Sequence, residues 1–280
     1  MISRDQSSLT VKQLCRLYGV SRSGYYAWQD RPVSSRIEED KKLGEAMVEL
    51  HQGFRRSYGA RRLHRALRQK GYNCSVRRVT RLMKELDIKA STKGLYSWQP
   101  GRQAFYASTP NKLAEAGNAQ QAGTHWAGDF TYITTQRGYL FFAVVIDLYT
   151  RKVIGWSGSR KRSAAFTKSA LLTALRNQRP QPGCLFHSDQ GIEYAAAEFR
   201  EAVEEAGLEQ SMSRKGNPID NALVESFFHS LKVEAVQKKV YKNELEAMAE
   251  VISYVHYYNK ERLHSSLDYQ SPLTYEKLCA

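Results

Sequence analysis

Tyr139 to Ile146 reads YLFFAVVI, eight residues that are all apolar, aromatic or β-branched. Such a run suits a β-strand covered on both faces and is far too short to cross a bilayer. A doubly buried strand cannot stand alone, so the chain around it must supply strands to pair with it and helices to cover it. Trp126 to Ile133 alternates as a strand does, and Gln136-Arg137-Gly138 offers a turn into the apolar run. Lys152 to Ser159 reads as a third strand after a Tyr-Thr-Arg turn. Ala164 to Asn177 is helical, Cys184 to Ser188 is a short strand and Ala195 to Ala206 is helical again. Gln210 to Ser213 makes a fifth strand, and a long helix starts at Pro218.

Three strands joined by tight turns, then alternating helix and strand, predict an α/β, ribonuclease-H-like mixed five-stranded sheet with flanking helices. Three carboxylates lie in it where packing has no use for them. Asp129 is inside the first strand, in WAGDFTYI, and Asp189 directly follows the fourth, in CLFHSDQGIEY. Glu225 lies in NPIDNALVESFFHSLK, on a helix expected to be capped by Asn217 with Pro218 at its first position, and Phe227, Phe228 and Leu231 give it an apolar face. Strands one and four adjoin in this fold, so the aspartates converge and the helix carries the glutamate over them. Three carboxylates at one point repel unless cations lie between them. Oxygen-only ligands suit Mg²⁺, with Mn²⁺ able to substitute, rather than zinc. Two such ions roughly 3.5–4 Å apart serve an in-line phosphoryl displacement. Asp129, Asp189 and Glu225 are therefore the expected catalytic and metal-ligating residues.

Charge names the partner. The chain has 42 Lys and Arg against 28 Asp and Glu, a net of +14. Residues 1–120 hold 23 basic and 10 acidic side chains, a net of +13, while residues 121–280 are nearly balanced at 19 and 18. Such an asymmetry argues against a metabolic enzyme of uniform surface and points to a polyanion, most simply double-stranded DNA. In SLTVKQLCRLYGVSRSGYYAW, Thr10 caps a short helix with Val11, Leu14 and Leu17 on one side, Gly19 permits a tight turn, and Ser21 caps a second helix to about Trp28. Two short helices around a glycine turn are the pattern of a helix-turn-helix.

A second helical block follows, with Leu43, Met47 and Leu50 on one helix, Leu63 and Leu67 on the next, a break at Gly71, and a Ser75 cap before a stripe of Val79, Leu82, Met83 and Leu86. From Arg55 to Lys70 there are seven basic residues and no acid, which favours phosphate contact over a merely solvated face. Ser21, Arg22, Arg61, Arg62, Arg65, Arg77, Arg78 and Arg81 are the candidate DNA-binding residues on these all-α units. The expected division is a helix-turn-helix over 1–32, a second helical DNA-binding domain over 33–90, a linker over 91–123, the catalytic core over 124–236 and a C-terminal helical extension over 237–280. Tyr96, Trp98, Phe105 and Tyr106 are unusually aromatic for a linker, suited either to docking on a domain or to stacking on DNA.

HSDQGIEY, SMSRKGNPIDNALVESFFHSLKVE and YYNKERLHSSLDYQSP together closely resemble the OrfB transposase of the insertion-sequence-3 family, whose catalytic core belongs to the retroviral-integrase superfamily. The resemblance runs over nearly the whole chain. It maps the family's acidic triad onto Asp129, Asp189 and Glu225, with 35 residues between the last two, and the family's basic residue onto Lys232, seven positions after the glutamate and two helical turns along. It implies an enzyme that recognises the element's terminal inverted repeats and hydrolyses a strand to a 3′-OH. That hydroxyl attacks the opposite end, giving a figure-eight and then a circle before insertion into target DNA. It also implies a homo-oligomer on DNA, a cytoplasmic, nucleoid-associated location, and an OrfA partner or an OrfA fusion carrying a leucine zipper, for which this chain shows no heptad tract.

Two other readings stand beside it. A non-catalytic helix-turn-helix repressor would need none of the three acids, and a ribonuclease-H-type nuclease does not account for the spacing to Glu225 or the paired helical units. Asp147 and Asp220 suit turn or helix-start roles, and His187 and Ser188 flank Asp189 without forming a hydrolase triad. Arg262 and His264 fit packing and DNA contact equally. Cys15, Cys74, Cys184 and Cys279 are widely scattered, make no zinc site with His256 and His264, and suit free thiols in a reducing cytoplasm. No apolar signal segment is read at the N-terminus and no membrane partner is expected.

Overall fold

The computed structural model describes residues 9–30, 34–91, 109–213, 222–237 and 239–279. The expected Asn217 cap with Pro218, Asp220 and the aromatics Tyr96, Trp98, Phe105 and Tyr106 lie outside these residues. The chain begins with α1 (Val11–Leu17), where Thr10 and Gln13 form a reciprocal capping box. Gly19, at φ 66°, turns the chain into α2 (Arg22–Gln29), capped by the Ser21 hydroxyl on the Gly24 N–H. Next come α3 (Ser35–Gly53), α4 (Ala60–Gln69) and α5 (Val76–Glu85). Leu43, Met47, Leu50, Leu63, Leu67, Val79 and Leu82 form their core with Tyr58 and, from far along the chain, Leu263. Leu86, expected in this stripe, is instead 45% exposed just beyond the end of α5.

The five strands are β1 (His125–Thr135), β2 (Gly138–Asp147), β3 (Val153–Ser159), β4 (Leu185–Ser188) and β5 (Glu209–Met212). Their order is β3-β2-β1-β4-β5. The first three pair antiparallel, whereas β4 runs parallel to both β1 and β5. This is the ribonuclease-H-like sheet that the strand pattern predicts. Its apolar run is the most sheltered segment, since Phe142, Ala143 and Val144 are wholly inaccessible. Both faces are covered as that run demands. Trp126, Phe130, Val145 and Phe186 pack against α7 (Ala164–Asn177) and α9 (Ala197–Glu205) on one side. Ala127, Ile133, Phe142 and Val144 pack against α10 (Ala222–Leu231) and α11 (Glu244–Lys260) on the other.

The expected helix from Ala195 to Ala206 is α9, and a single turn α8 (Ile192–Ala195) precedes it, separated by Ala196 in an extended conformation at φ −65°, ψ 144°. The stretch expected to be linker contains α6 (Lys112–Ala116), which lies on the sheet edge; Leu113 N donates to Ser211 Oγ at 3.1 Å, and Met212 N to Pro110 O at 3.2 Å. After α10 the chain widens into a π-helical turn (Lys232–Val236), and α12 (Pro272–Cys279) closes the described chain. The front helices are tied to the C-terminal part by Leu263 N donating to Tyr58 Oη at 2.8 Å and by an Arg55–Glu250 ion pair. All four cysteines are free thiols. Among the described residues no helix is long and apolar enough to cross a membrane.

Candidate active site

The parallel pairing of β1 with β4 runs in register from His125 opposite Leu185 to Gly128 opposite Ser188. Asp129 follows Gly128 within β1 and Asp189 follows Ser188 just past the end of β4, so the two sit at neighbouring positions about one strand spacing, ~4.8 Å, apart. Alternation along β1 sends Trp126 and Phe130 to one core and Ala127 and Ile133 to the other, so Asp129 faces with the latter, the side that α10 covers. Both carboxylates are fixed by backbone. Asp129 Oδ1 accepts from Phe130 N at 2.7 Å, and Asp189 Oδ1 accepts from Gly191 N at 3.0 Å. A Cβ on Gly191 would lie 2.8 Å from that same oxygen, so the close cap requires glycine there. Gly128 is likewise constrained, since a Cβ there would meet the Phe186 ring at 2.6 Å.

Glu225 lies in the first described turn of α10, exposed, beside Val224, Phe227 and Phe228, which anchor the helix to the sheet. The structure thus brings the two aspartates together and puts the glutamate on the helix covering their face. Among the described residues, however, no three His, Cys, Asp or Glu side chains form one metal-holding group. Lys232 opens the π-helical turn, with its Nζ 5.6 Å from the centre of the Tyr132 ring on β1.

His187 is fully buried and bridges β4 to β5 through Ser211 Oγ at 2.9 Å and Ser213 Oγ at 3.0 Å, which gives it a structural task one residue from Ser188. Asp147, also fully buried, accepts from Gly123 N, Tyr149 N, Thr150 N, Thr150 Oγ1 and Gln178 Nε2, the turn-building role read for it in the sequence. One feature escaped the sequence reading. Glu193 on α8 is 2% exposed, its Oε2 points towards Gly191, and both its oxygens bind Arg162. Arg162 also lies 5.0 Å from the Phe130 ring centre, and its charge is held up by Glu193 and, more weakly, Asp189. Four-residue spacing after Asp189 was a visible signal, but the arginine's convergence on it was not.

Comparison with known proteins bears on the fold and the family. The family model described as an integrase core domain matches residues 119–218, a second of the same description matches 206–272, and an HTH-like domain model matches 38–95. The transposase InsF for insertion sequence IS3A of Escherichia coli is 35% identical over 279 residues, covering 98% of this chain and 96% of that protein. The transposase for insertion sequence element IS904 of Lactococcus lactis is 35% identical, covering 88% and 98%. The chain belongs to the IS3 family of transposases. A solved chain from the simian T-cell lymphotropic virus intasome in complex with PP2A regulatory subunit B56 gamma shares the fold, with TM-score 0.50, 16% identity, and coverage of 82% and 74%.

In this IS3-family transposase the candidate DNA-binding residues fall into distinct settings. Arg78 reaches Asp40 at 2.6 Å and Glu39 at 3.1 Å, and Arg81 reaches Glu85 at 2.8 Å and also Asp40. Both therefore clamp α5 to α3, a use hidden in sequence because Asp40 is 38 residues from Arg78. Ser21 spends its hydroxyl on the α2 cap. Arg22, Arg61, Arg65 and Arg77 are exposed, with Arg65 5.1 Å from the Tyr269 ring centre. Arg62 is half-buried, 5.7 Å from the Tyr58 ring centre, and burial with repulsion from Arg262 holds its guanidinium below its usual range.

Proposed function

We propose that this transposase cuts one DNA strand at the end of its element and joins the freed 3′-OH to another phosphodiester, using Asp129, Asp189 and Glu225. The observation that carries the reading is the pair of aspartates at adjoining positions, Asp129 within β1 and Asp189 just past the end of the parallel strand β4, in a chain of this family. The donor set fits a hard divalent cation, being carboxylate oxygen with no thiolate or imidazole. Asp129, Asp189 and Glu225 would hold Mg²⁺ or Mn²⁺, two ions per site, which when bound supply positive charge to an in-line phosphoryl displacement. Backbone bonds to Oδ1 of each aspartate orient the other oxygen without cost at the moment of reaction. Glu225 closes the set from α10, and Lys232 holds a neighbouring phosphate. In cutting, a water oxygen bonds to phosphorus as the bond to the 3′-oxygen breaks; that oxygen takes one proton to become the 3′-OH, the other passes to solvent, and a 5′-phosphate is left. In joining, the 3′-oxygen bonds to a new phosphorus and displaces the 3′-oxygen there, so phosphodiester bonds are conserved. The exposed arginines of the helical units grip the terminal repeats, and an OrfA segment supplies further recognition and pairing of ends.

Incubation of the chain with labelled element-end duplex and Mg²⁺, with and without OrfA, tests this. The expected result is new 3′-OH ends or joined strands from the wild type, and retained binding without cleavage from Asp189→Asn. Equal cleavage by the variant overturns the site. Binding without cleavage by the wild type under both conditions leaves a DNA-binding protein, and preference for RNA–DNA hybrids leaves a nuclease.

A further inference from the structure

Arg262 and His264 have different roles in the structure. Arg262 is 5% exposed and fully engaged, with Nη2 donating to Glu234 Oε1 at 2.8 Å and Ser230 Oγ at 3.0 Å and Nε to Glu234 Oε2 at 3.1 Å. It is a packing residue. His264 is 9% exposed, stands edge-on to Tyr258 at 4.7 Å, and its Nε2 is buried without any hydrogen-bond partner. Both line a cavity of about 370 Å³ that also receives Arg62 from α4, Arg151 from the β2–β3 turn, and His229 and Ser230 from α10.

The charges on this wall do not balance. Glu234 is the sole carboxylate among its described lining residues, and Arg262 answers it. Among the described residues neither Arg62 nor Arg151 has an ion pair, and Arg151 Nε and Nη1 are buried without a hydrogen-bond partner. Asp147, near Arg151, already accepts from five donors. Burial holds the Arg151 guanidinium below its usual range. Burial together with Arg262, Arg62 and Arg151 pushes His264 down to about 2, so it sits there neutral. A buried donor without a partner is costly, and more so when charged. Arg151 also holds a left-handed backbone, φ 62°, where glycine or asparagine would sit with less strain. These costs meet at one cavity, and an anion with several acceptor oxygens relieves them together. Phosphate suits the guanidinium fork best.

We propose that this cavity is a phosphate subsite that takes one backbone phosphate of the DNA on which the acidic site acts. The inference rests on the transposase reading for its ligand, although the cavity's charge stands without it. Leu223, Ser226 and Ser230 line the cavity from α10, the helix that carries Glu225, each about 100–160° around it from the glutamate. Exposed Arg61 and Arg65 neighbour Arg62 on α4 and form a basic approach to it. Arg62 from the front helices, Arg151 from the sheet and His264 from the C-terminal segment thus close on the same phosphate, which couples DNA grip to the catalytic helix.

The test uses the full chain without added metal, a short fluorescent DNA duplex, and the variants Arg151→Asn and Arg62→Gln. Loss of one phosphate contact lowers the slope of log affinity against log salt by about 0.9. Each variant is expected to lose that amount, and the double variant no more than about the same, since one phosphate is lost once. Arg151→Asn is also expected to unfold at an equal or higher temperature, because it removes an unpartnered buried charge and suits the left-handed turn; a purely structural arginine would lower it. Inorganic phosphate is expected to raise the melting temperature of the wild type above that in chloride of equal ionic strength, and not that of Arg151→Asn. Unchanged salt slopes with a retained phosphate effect assign the cavity to free phosphate and overturn the DNA contact. Absence of both effects overturns the subsite. A wild type that binds no duplex overturns the proposed grip of this chain on DNA instead, and the phosphate arm then decides the cavity alone.

Discussion

The front helices and the sheet core both pair arginine with carboxylate, but they do so in different media. In the front unit Arg78, Arg81 and Lys70 meet Asp40, Glu39, Glu85 and Glu49 at or near the surface. Such pairs hold α3, α4 and α5 together weakly, each contributing about 0–1 kcal/mol. In the core region Glu193 and Glu234 are almost completely buried, and Arg162 and Arg262 are tied to them. A buried pair is costly to half-dismantle, because the remaining charge has no water. The contrast teaches that the +13 of residues 1–120 is not a measure of DNA-facing charge. Part of it is internal cement, so the basic surface left over for a polyanion, which includes exposed Arg22, Arg61, Arg65 and Arg77, is smaller than the net charge suggests.

The largest expected effect falls on the core. Asp189→Asn keeps the shape of the side chain and the Gly191 cap while removing the negative charge, and should lower DNA cleavage by about 10³-fold or more, the scale on which single active-site electrostatic partners act. Gel-resolved cleavage at matched DNA occupancy reads it, and a loss below tenfold would remove Asp189 from the chemistry. Next comes Glu234→Gln, which leaves Arg262 charged and only 5% exposed and weakens its link to Tyr254, whose hydroxyl lies 3.0 Å from Glu234 Oε2. It should cost about 3–5 kcal/mol in urea unfolding. A cost near 1 kcal/mol would put this pair in the same class as those of the front helices and erase the contrast.

Much of this was legible in sequence wherever the cause is local. The helix Ala164–Asn177, the caps at Thr10, Ser21 and Ser75, and the apolar strand all follow from side chains within one element's reach. Asp129 and Asp189 were legible as acids out of place in apolar strands. The break at Ala196 was not, because alanine favours helix, while Tyr194 and Phe199 on either side of it pack edge to face, 5.1 Å apart between ring centres. The partners of Arg78 were not legible either, nor was the cavity, whose arginines come from positions 62, 151 and 262. Those groups meet only because Leu263 packs into the front core and Tyr58 bonds its backbone, contacts 205 residues apart. Long-range closure of this kind leaves no periodicity to read.

Acid separates the two regions by pH. His264 lies at the junction, with its pKa pushed to about 2, below the ordinary 6.5. The unfolded chain therefore takes up that proton first, and the folded state loses stability as pH falls below about 6.5, by about 1.4 kcal/mol per unit for one proton. His264→Asn should flatten this slope by one proton equivalent. Asp40 lies in the front unit, and hydrogen bonds from Arg81 and Arg78 hold its carboxyl below the usual 3.8. Its contribution is therefore fully present above pH 3.8 and is lost only as pH falls through that lowered value. Asp40→Asn should cost about 1 kcal/mol or less near neutrality, with the difference from wild type vanishing at lower pH. Urea midpoints of the two variants between pH 7 and pH 3 check this directly. If the Asp40→Asn deficit disappears already near pH 6, or the His264→Asn slope matches wild type, the division between a surface-cemented front and a buried, charge-strained junction fails.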